Sequence, residues 1–125
     1  MASILVIDDE SAICEVIART LAAAGHTVTQ AADGRRALDH LRAQPADLVL
    51  TDLVMPEQDG IETIMAQRHL FPALPVIAMS GATGNAGLYL EIAKHLGVRH
   101  TLAKPFTAAT LLDAINTTLE RTCAA

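Results

Sequence analysis

Short apolar runs recur along this chain, each closed by a polar or turn-forming residue and followed by a longer stretch with helical spacing. Ser3-Ile4-Leu5-Val6-Ile7 is rich in β-branched residues and reads as a strand. Asp8-Asp9-Glu10 follow directly, and Ser11 reads as the N-cap of a helix carrying Ile13, Val16, Ile17 and Leu21 on one face. Gly25 supplies its stop. Thr27 to Ala31 reads as a second strand and Asp33-Gly34 as a turn. A second helix then turns Ala37, Leu38 and Leu41 inward until Pro45 breaks it. The third strand, Asp47 to Thr51, contains Leu48-Val49-Leu50, an unalternating run that suits a strand covered on both faces. Asp52 stands at its carboxyl end, ahead of Leu53-Val54-Met55-Pro56.

Asp59-Gly60 leads into a third helix with Ile61, Ile64 and Met65 at helical spacing, and Pro72 and Pro75 bracket its exit. Pro75 to Met79 reads as the fourth strand. Ser80 to Gly87, with three glycines in eight residues, reads as the most flexible stretch. Leu88, Ile92, Ala93 and Leu96 mark a fourth helix, with Gly97 as its stop. Val98 to Ala103 reads as the fifth strand, ending at Lys104-Pro105, and the last helix carries Leu111, Leu112, Ile115 and Leu119. Five strand–helix units of about 25 residues each predict an α/β fold, a parallel sheet with helices on both faces. The sequence shows no internal repeat, linker or low-complexity tract, so residues 1–125 read as one domain.

Composition narrows the function. About half the residues are apolar, yet Phe71, Phe106 and Tyr89 are the only aromatics, so the expected core is aliphatic. A net charge of −5, with the nine Lys and Arg scattered, argues against direct nucleic-acid binding. No apolar run approaches the roughly 20 residues of a membrane span, and the N-terminus lacks a signal-peptide layout. Cys14 and Cys123 have neither disulfide-framework nor zinc-ligand spacing, which makes a cytoplasmic protein with reduced thiols the expectation.

The chemistry lies at the strand ends. Asp8-Asp9 follow the first strand, Asp52 the third, Ser80 the fourth and Lys104 the fifth. In a parallel sheet these ends share one edge, where open α/β folds bind ligands. Crowded carboxylates repel and need a cation or a raised pKa. Such oxygens suit Mg²⁺, which often bridges one or two carboxylates to a phosphate. Lys104 offers a point charge for a phosphate oxygen, and Ser80 offers a hydrogen bond. With a phosphoryl group of about −1.5 to −2 on Asp52, the charge imbalance is small with the metal and large without it. Strict dependence on a divalent cation follows as an expectation.

Asp8-Asp9, Asp52 with Met55-Pro56 and Asp59-Gly60, Ser80-Gly81-Ala82, and Lys104-Pro105-Phe106 together resemble the receiver domain of two-component response regulators. The resemblance covers nearly the whole chain. It implies a flavodoxin-like (βα)5 fold with strand order 2-1-3-4-5. It implies that Asp52 takes a phosphoryl group from a phosphohistidine of a histidine kinase or phosphotransfer protein. Asp9 and Asp52 would ligate Mg²⁺ (or Mn²⁺ in its place) with the main-chain carbonyl of Val54, and Asp8 would act through water. Ser80 and Lys104 would bind phosphoryl oxygens, and the Lys104–Pro105 bond would be cis. The product is a phosphorylation-controlled switch that catalyses only its own modification. Its output is the face of the fourth helix, fifth strand and fifth helix, acting on a downstream protein or output domain, or through a phosphorylation-dependent homodimer.

Two features depart from that family. The usual aromatic three residues before the lysine is replaced by Thr101, with His100 beside it, and the loop after Ser80 is about two residues longer than in common members. Other readings of the residues stand beside the leading one. Asp8-Asp9-Glu10 could simply suit a helix N-terminus, Ser80 could be a turn residue, and Asp59-Gly60 and Met55-Pro56 read as structural. His26, His40, His69 and His95 read as surface residues, and Cys14 as packed on the first helix. A haloacid-dehalogenase-type phosphatase would need an acid where Val54 stands, and a flavodoxin-like cofactor site would be repelled by Asp8-Asp9-Glu10. A phosphorylation-independent binding module is the remaining alternative.

Overall fold

The computed structural model describes residues 2–53, 60–80, 86–104 and 106–124. Strands and helices alternate: β1 (Ser3–Ile7), α1 (Ser11–Ala23), β2 (Thr27–Ala31), α2 (Gly34–Ala43), β3 (Leu48–Asp52), α3 (Gly60–Leu70), β4 (Val76–Ser80), α4 (Ala86–His95), β5 (His100–Ala103) and α5 (Ala108–Ala124). The strands are parallel in the order β2-β1-β3-β4-β5, the flavodoxin-like arrangement that the resemblance implies.

Side-chain alternation along each strand divides the apolar residues into two cores. Ile4, Val6, Leu48, Leu50, Ile77, Met79 and Leu102 pack with Cys14, Ile17 and Leu21 of α1 and Leu111, Ala114 and Ile115 of α5. On the other face Leu5, Ile7, Val49, Val76 and Ala78 pack with Ala37 and Leu41 of α2, Ile64 of α3 and Ala93 of α4. The central strands β3 and β4 are buried along their whole length, while β2 and β5, at the edges, are partly open. Both faces of the sheet are therefore covered, which is why the central runs do not alternate in hydrophobicity. The chain leaves β1 for β2 on one side and reaches β3 on the other. The switch point between β1 and β3 brings the residues after Ile7 beside the end of β3.

Several details differ from the sequence expectation. The N-cap of α1 is Glu10 rather than Ser11, so the helix starts one residue earlier than expected, and the Glu10 N–H donates to Asp8 Oδ1 (3.0 Å). Asp33 caps α2 through the Arg36 N–H (2.8 Å), so Gly34 is helical rather than part of a turn. α4 begins at Ala86, inside the stretch expected to be a loop. Val16 and Met65, expected inward, are 64% and 55% exposed, and α3 instead buries Gln67. Gly25 and Gly97 do end their helices, with φ of 95° and 91°, and the next residue's N–H reaches back to Leu21 (3.1 Å) and Ala93 (3.3 Å). Met55-Pro56, Asp59, Gly81-Ala82 and Pro105, with its expected cis bond, lie outside the described residues.

Candidate functional site at the carboxyl edge of the sheet

The sheet hydrogen bonding continues just past the strands and fixes the backbone of the site residues. Asp8 N–H donates to Ala31 O (3.2 Å), Leu53 N–H to Met79 O (2.9 Å) and Lys104 N–H to Ser80 O (2.7 Å). Asp8, Asp52, Ser80 and Lys104 thus come from four strands onto one edge. Asp8 and Asp52 are nearly closed off from solvent, and Asp9 is exposed. Oxygens of Asp8, Asp9 and Asp52 lie within 4.8 Å of one another.

Lys104 spans this group. Its Nζ donates to Asp8 Oδ2 at 2.7 Å and to Asp52 Oδ2 at 3.2 Å. Burial pushes its ammonium down, but the hydrogen bond to Asp8 and the charges of Asp52 and Asp8 outweigh it, and the net shift is upward. Lys104 is therefore a fixed positive charge at every physiological pH. The main-chain N–H of Glu10 orients the other oxygen of Asp8. Three clustered carboxylates that share one ammonium still carry excess negative charge. Their hard oxygens fit Mg²⁺ by ligand type and by spacing.

Ser80 ends β4 with its side chain fully buried, and its Oγ has no hydrogen-bond partner among the described residues. An orphaned buried hydroxyl is costly unless some state of the molecule supplies a partner. Thr101 is half-buried and pairs with Ala78, whose side chain lies in the α2–α3–α4 core. Leu102 packs in the opposite core, so His100 shares its side of the sheet and does not take the place of Thr101. Val54, expected to offer its carbonyl, lies outside the described residues.

Cys14 was legible only as a packed residue, yet it lies within electrostatic reach of the site. Its thiol is pushed up to about 11, by burial first and then by Asp8, with Lys104 opposing. The signal for this was its position in the first turns of the helix that follows Asp8. Thr51, buried before Asp52, donates its hydroxyl to the Asp52 carbonyl (3.1 Å), and no sequence pattern singled it out.

The family model of the response regulator receiver domain matches residues 4–116. The chain belongs to that family. This receiver is 37% identical over 121 residues to the transcriptional regulatory protein ZraR of Escherichia coli K12, an alignment covering 97% of this chain and 26% of ZraR. It is 33% identical over 119 residues to the response regulator MprA of Mycolicibacterium vanbaalenii, covering 95% of this chain and 51% of MprA. A crystal structure of a response regulator receiver domain protein from Clostridium thermocellum superposes with a TM-score of 0.89 at 32% identity, covering 99% of this receiver and 98% of that chain. The receiver thus spans about a quarter of ZraR and half of MprA. Among the described residues no helix is long and apolar enough to cross a membrane.

Proposed function

We propose that Asp52 accepts a phosphoryl group from the phosphohistidine of a histidine kinase or phosphotransfer protein, and that its modification switches a protein-binding surface. The observation that carries this reading is the Lys104 ammonium held between Asp52 and Asp8 at a sheet edge that also presents Asp9. A carboxylate oxygen of Asp52 attacks phosphorus in line. An O–P bond forms, the N–P bond breaks, and the imidazole leaves with the bonding pair and takes a proton from solvent. Such a transfer needs positioning and charge neutralisation more than a base. Lys104 moves its hydrogen bond from the Asp52 carboxylate to a phosphoryl oxygen. Ser80, whose hydroxyl lacks a partner among the described residues, donates to another.

Asp8, Asp9 and Asp52 would hold Mg²⁺, with the Val54 carbonyl as a further donor. When bound, the ion supplies positive charge opposite the phosphoryl oxygens. Hydrolysis of the acyl phosphate at the same site resets the switch, and no other substrate is required. Residues 1–125 act as one receiver unit in the cytoplasm. Movement of Ser80 toward the phosphoryl group remodels the face of α4, β5 and α5 that controls a downstream protein, an output domain or a second copy.

Intact mass after incubation with acetyl phosphate, with Mg²⁺ or with chelator, tests this reading. One phosphoryl adduct that requires Mg²⁺ and is lost in Asp52→Asn is the expected result. No adduct in the unaltered protein, while Mg²⁺ still binds, would replace the reading with a phosphorylation-independent binding module.

A further inference from the structure

The cations, scattered in the sequence, are gathered by the fold. Between Glu62 and Asp113 the only acidic residue is Glu91, against Arg68, Lys94, Arg99 and Lys104. This stretch builds most of α3 and then β4, α4 and β5, the β4–β5 end of the sheet. A chain of net charge −5 thus has one cationic end, and its negative charge is concentrated elsewhere.

Leaving aside Lys104, which is committed to Asp8 and Asp52, these cations meet at the amino edge of the sheet. Arg68 and His69 close α3, Lys94 and His95 close α4, and Arg99 and His100 lead into β5. The corner is fixed. The Arg68 guanidinium lies over Gly97, where a built Cβ would sit 3.2 Å from Nη2, and it donates to Pro72 O (3.1 Å). Arg99 N–H donates to Val76 O (2.8 Å). Lys94, His95, Arg99, His100 and His69 are exposed. The Lys94–Glu91 pair, at 3.5 Å with both side chains more than half exposed, leaves Lys94 available. Met65 and Ile92, among the exposed large apolar residues, stand one turn before Arg68 and His95.

Helix dipoles account for basic residues at the ends of α3 and α4. They do not account for Arg99 before β5 and His100 at its start, nor for the near absence of acid. We propose that this corner docks an acidic segment of a partner protein that also carries apolar side chains, with carboxylates on Arg68, Lys94 and Arg99 and an apolar residue against Ile92 or Met65. A short segment feels the local charge. A nucleic acid or an anionic membrane extends past the corner and meets the acidic remainder, which screening over about 8 Å does not hide. The corner lies at the edge opposite Asp52, across a five-residue strand of about 16 Å. Docking here therefore does not depend on Asp52 being a phosphoacceptor.

The test is fluorescence anisotropy with a labelled peptide of paired glutamates and leucines, on the full chain and on Lys94→Glu/Arg99→Glu, with Arg42→Glu of α2 as control. The expected result is peptide binding at low salt, weakened about tenfold or more by the double reversal and less than twofold by Arg42→Glu. Equal loss in the control, no binding at low salt, or tighter binding of oligothymidylate or phosphatidylserine vesicles than of the peptide would overturn the proposal. A circular dichroism spectrum and urea midpoint equal to those of the unaltered chain confirm the fold of the double variant without reference to Asp52, which keeps this outcome separate from that of the phosphorylation reading.

Discussion

Replacing Lys104 with methionine keeps the stem of the side chain and removes the ammonium that holds Asp8 and Asp52. The side chains of Asp8 and Asp52 are 0% and 6% exposed and that of Lys104 is 13% exposed. Deleting one partner of a buried ion pair costs about 3–5 kcal/mol, chiefly because the surviving charge stays desolvated. Lys104 reaches the surface, so water can partly replace it, and a loss of about 2 kcal/mol is the working value. With a urea dependence of about 1.5 kcal/mol per molar, the unfolding midpoint falls by just over 1 M. The assay is urea unfolding followed by circular dichroism in chelator, repeated with Mg²⁺. Mg²⁺ raises the midpoint more in Lys104→Met than in the unaltered chain, because the ion no longer competes with the ammonium for the same oxygens. Adding Asp8→Asn to Lys104→Met restores part of the loss by removing a carboxylate. Equal midpoints for Lys104→Met and the unaltered chain in chelator would show that the ion pairs contribute nothing net and refute the electrostatic account of the site.

Three further outcomes follow from other residues. Gln67 is fully buried and both ends of its amide lack partners among the described residues, so Gln67→Leu, nearly equal in volume, raises stability by about 1–2 kcal/mol in the same assay. A loss would mean that the amide has a partner. Gly97→Ala forces a Cβ onto φ of 91° and against the Arg68 guanidinium, costing about 1–2 kcal/mol; an unchanged thermal midpoint would contradict that geometry. The Cys14 thiol, raised from 9.0 to about 11, is ionised in the unfolded chain at lower pH than in the folded one. Its contribution to stability is whole below pH 9 and is lost as pH rises through 11. In a Cys123→Ala background, iodoacetamide reacts slowly at pH 8; a rate there equal to that of the urea-unfolded chain would contradict the burial of Cys14.

The alternation of apolar runs with helical stretches was enough to expect a parallel sheet, because strand composition and turn residues are local signals. The order of the strands came from the resemblance. Nothing local in β1 says that its neighbours are β2 and β3. Which stripe of a helix faces inward was harder. Spacing put Val16 on the apolar face of α1 and Cys14 beside it, whereas in the structure Cys14 is buried against β1 and α5 and Val16 is exposed. On α3, helical spacing put Met65 on the inward face, and the structure exposes it and buries Gln67. The site residues were legible because each ends a strand. The Lys104 contacts were not, since they join residues 96 and 52 apart in sequence, and only the assembled edge decides which carboxylates the ammonium reaches.

The functional cluster also serves to attach β5, the last strand of the sheet. Of the four residues in β5, Leu102 alone is buried, so this edge strand brings little apolar contact of its own. Asp8 and Asp52 are set side by side by the pairing of β1 and β3, a contact that does not involve β5. Lys104, directly after β5, reaches both carboxylates, so the ion pairs that relieve the cluster of negative charge also latch the edge strand to the rest of the sheet.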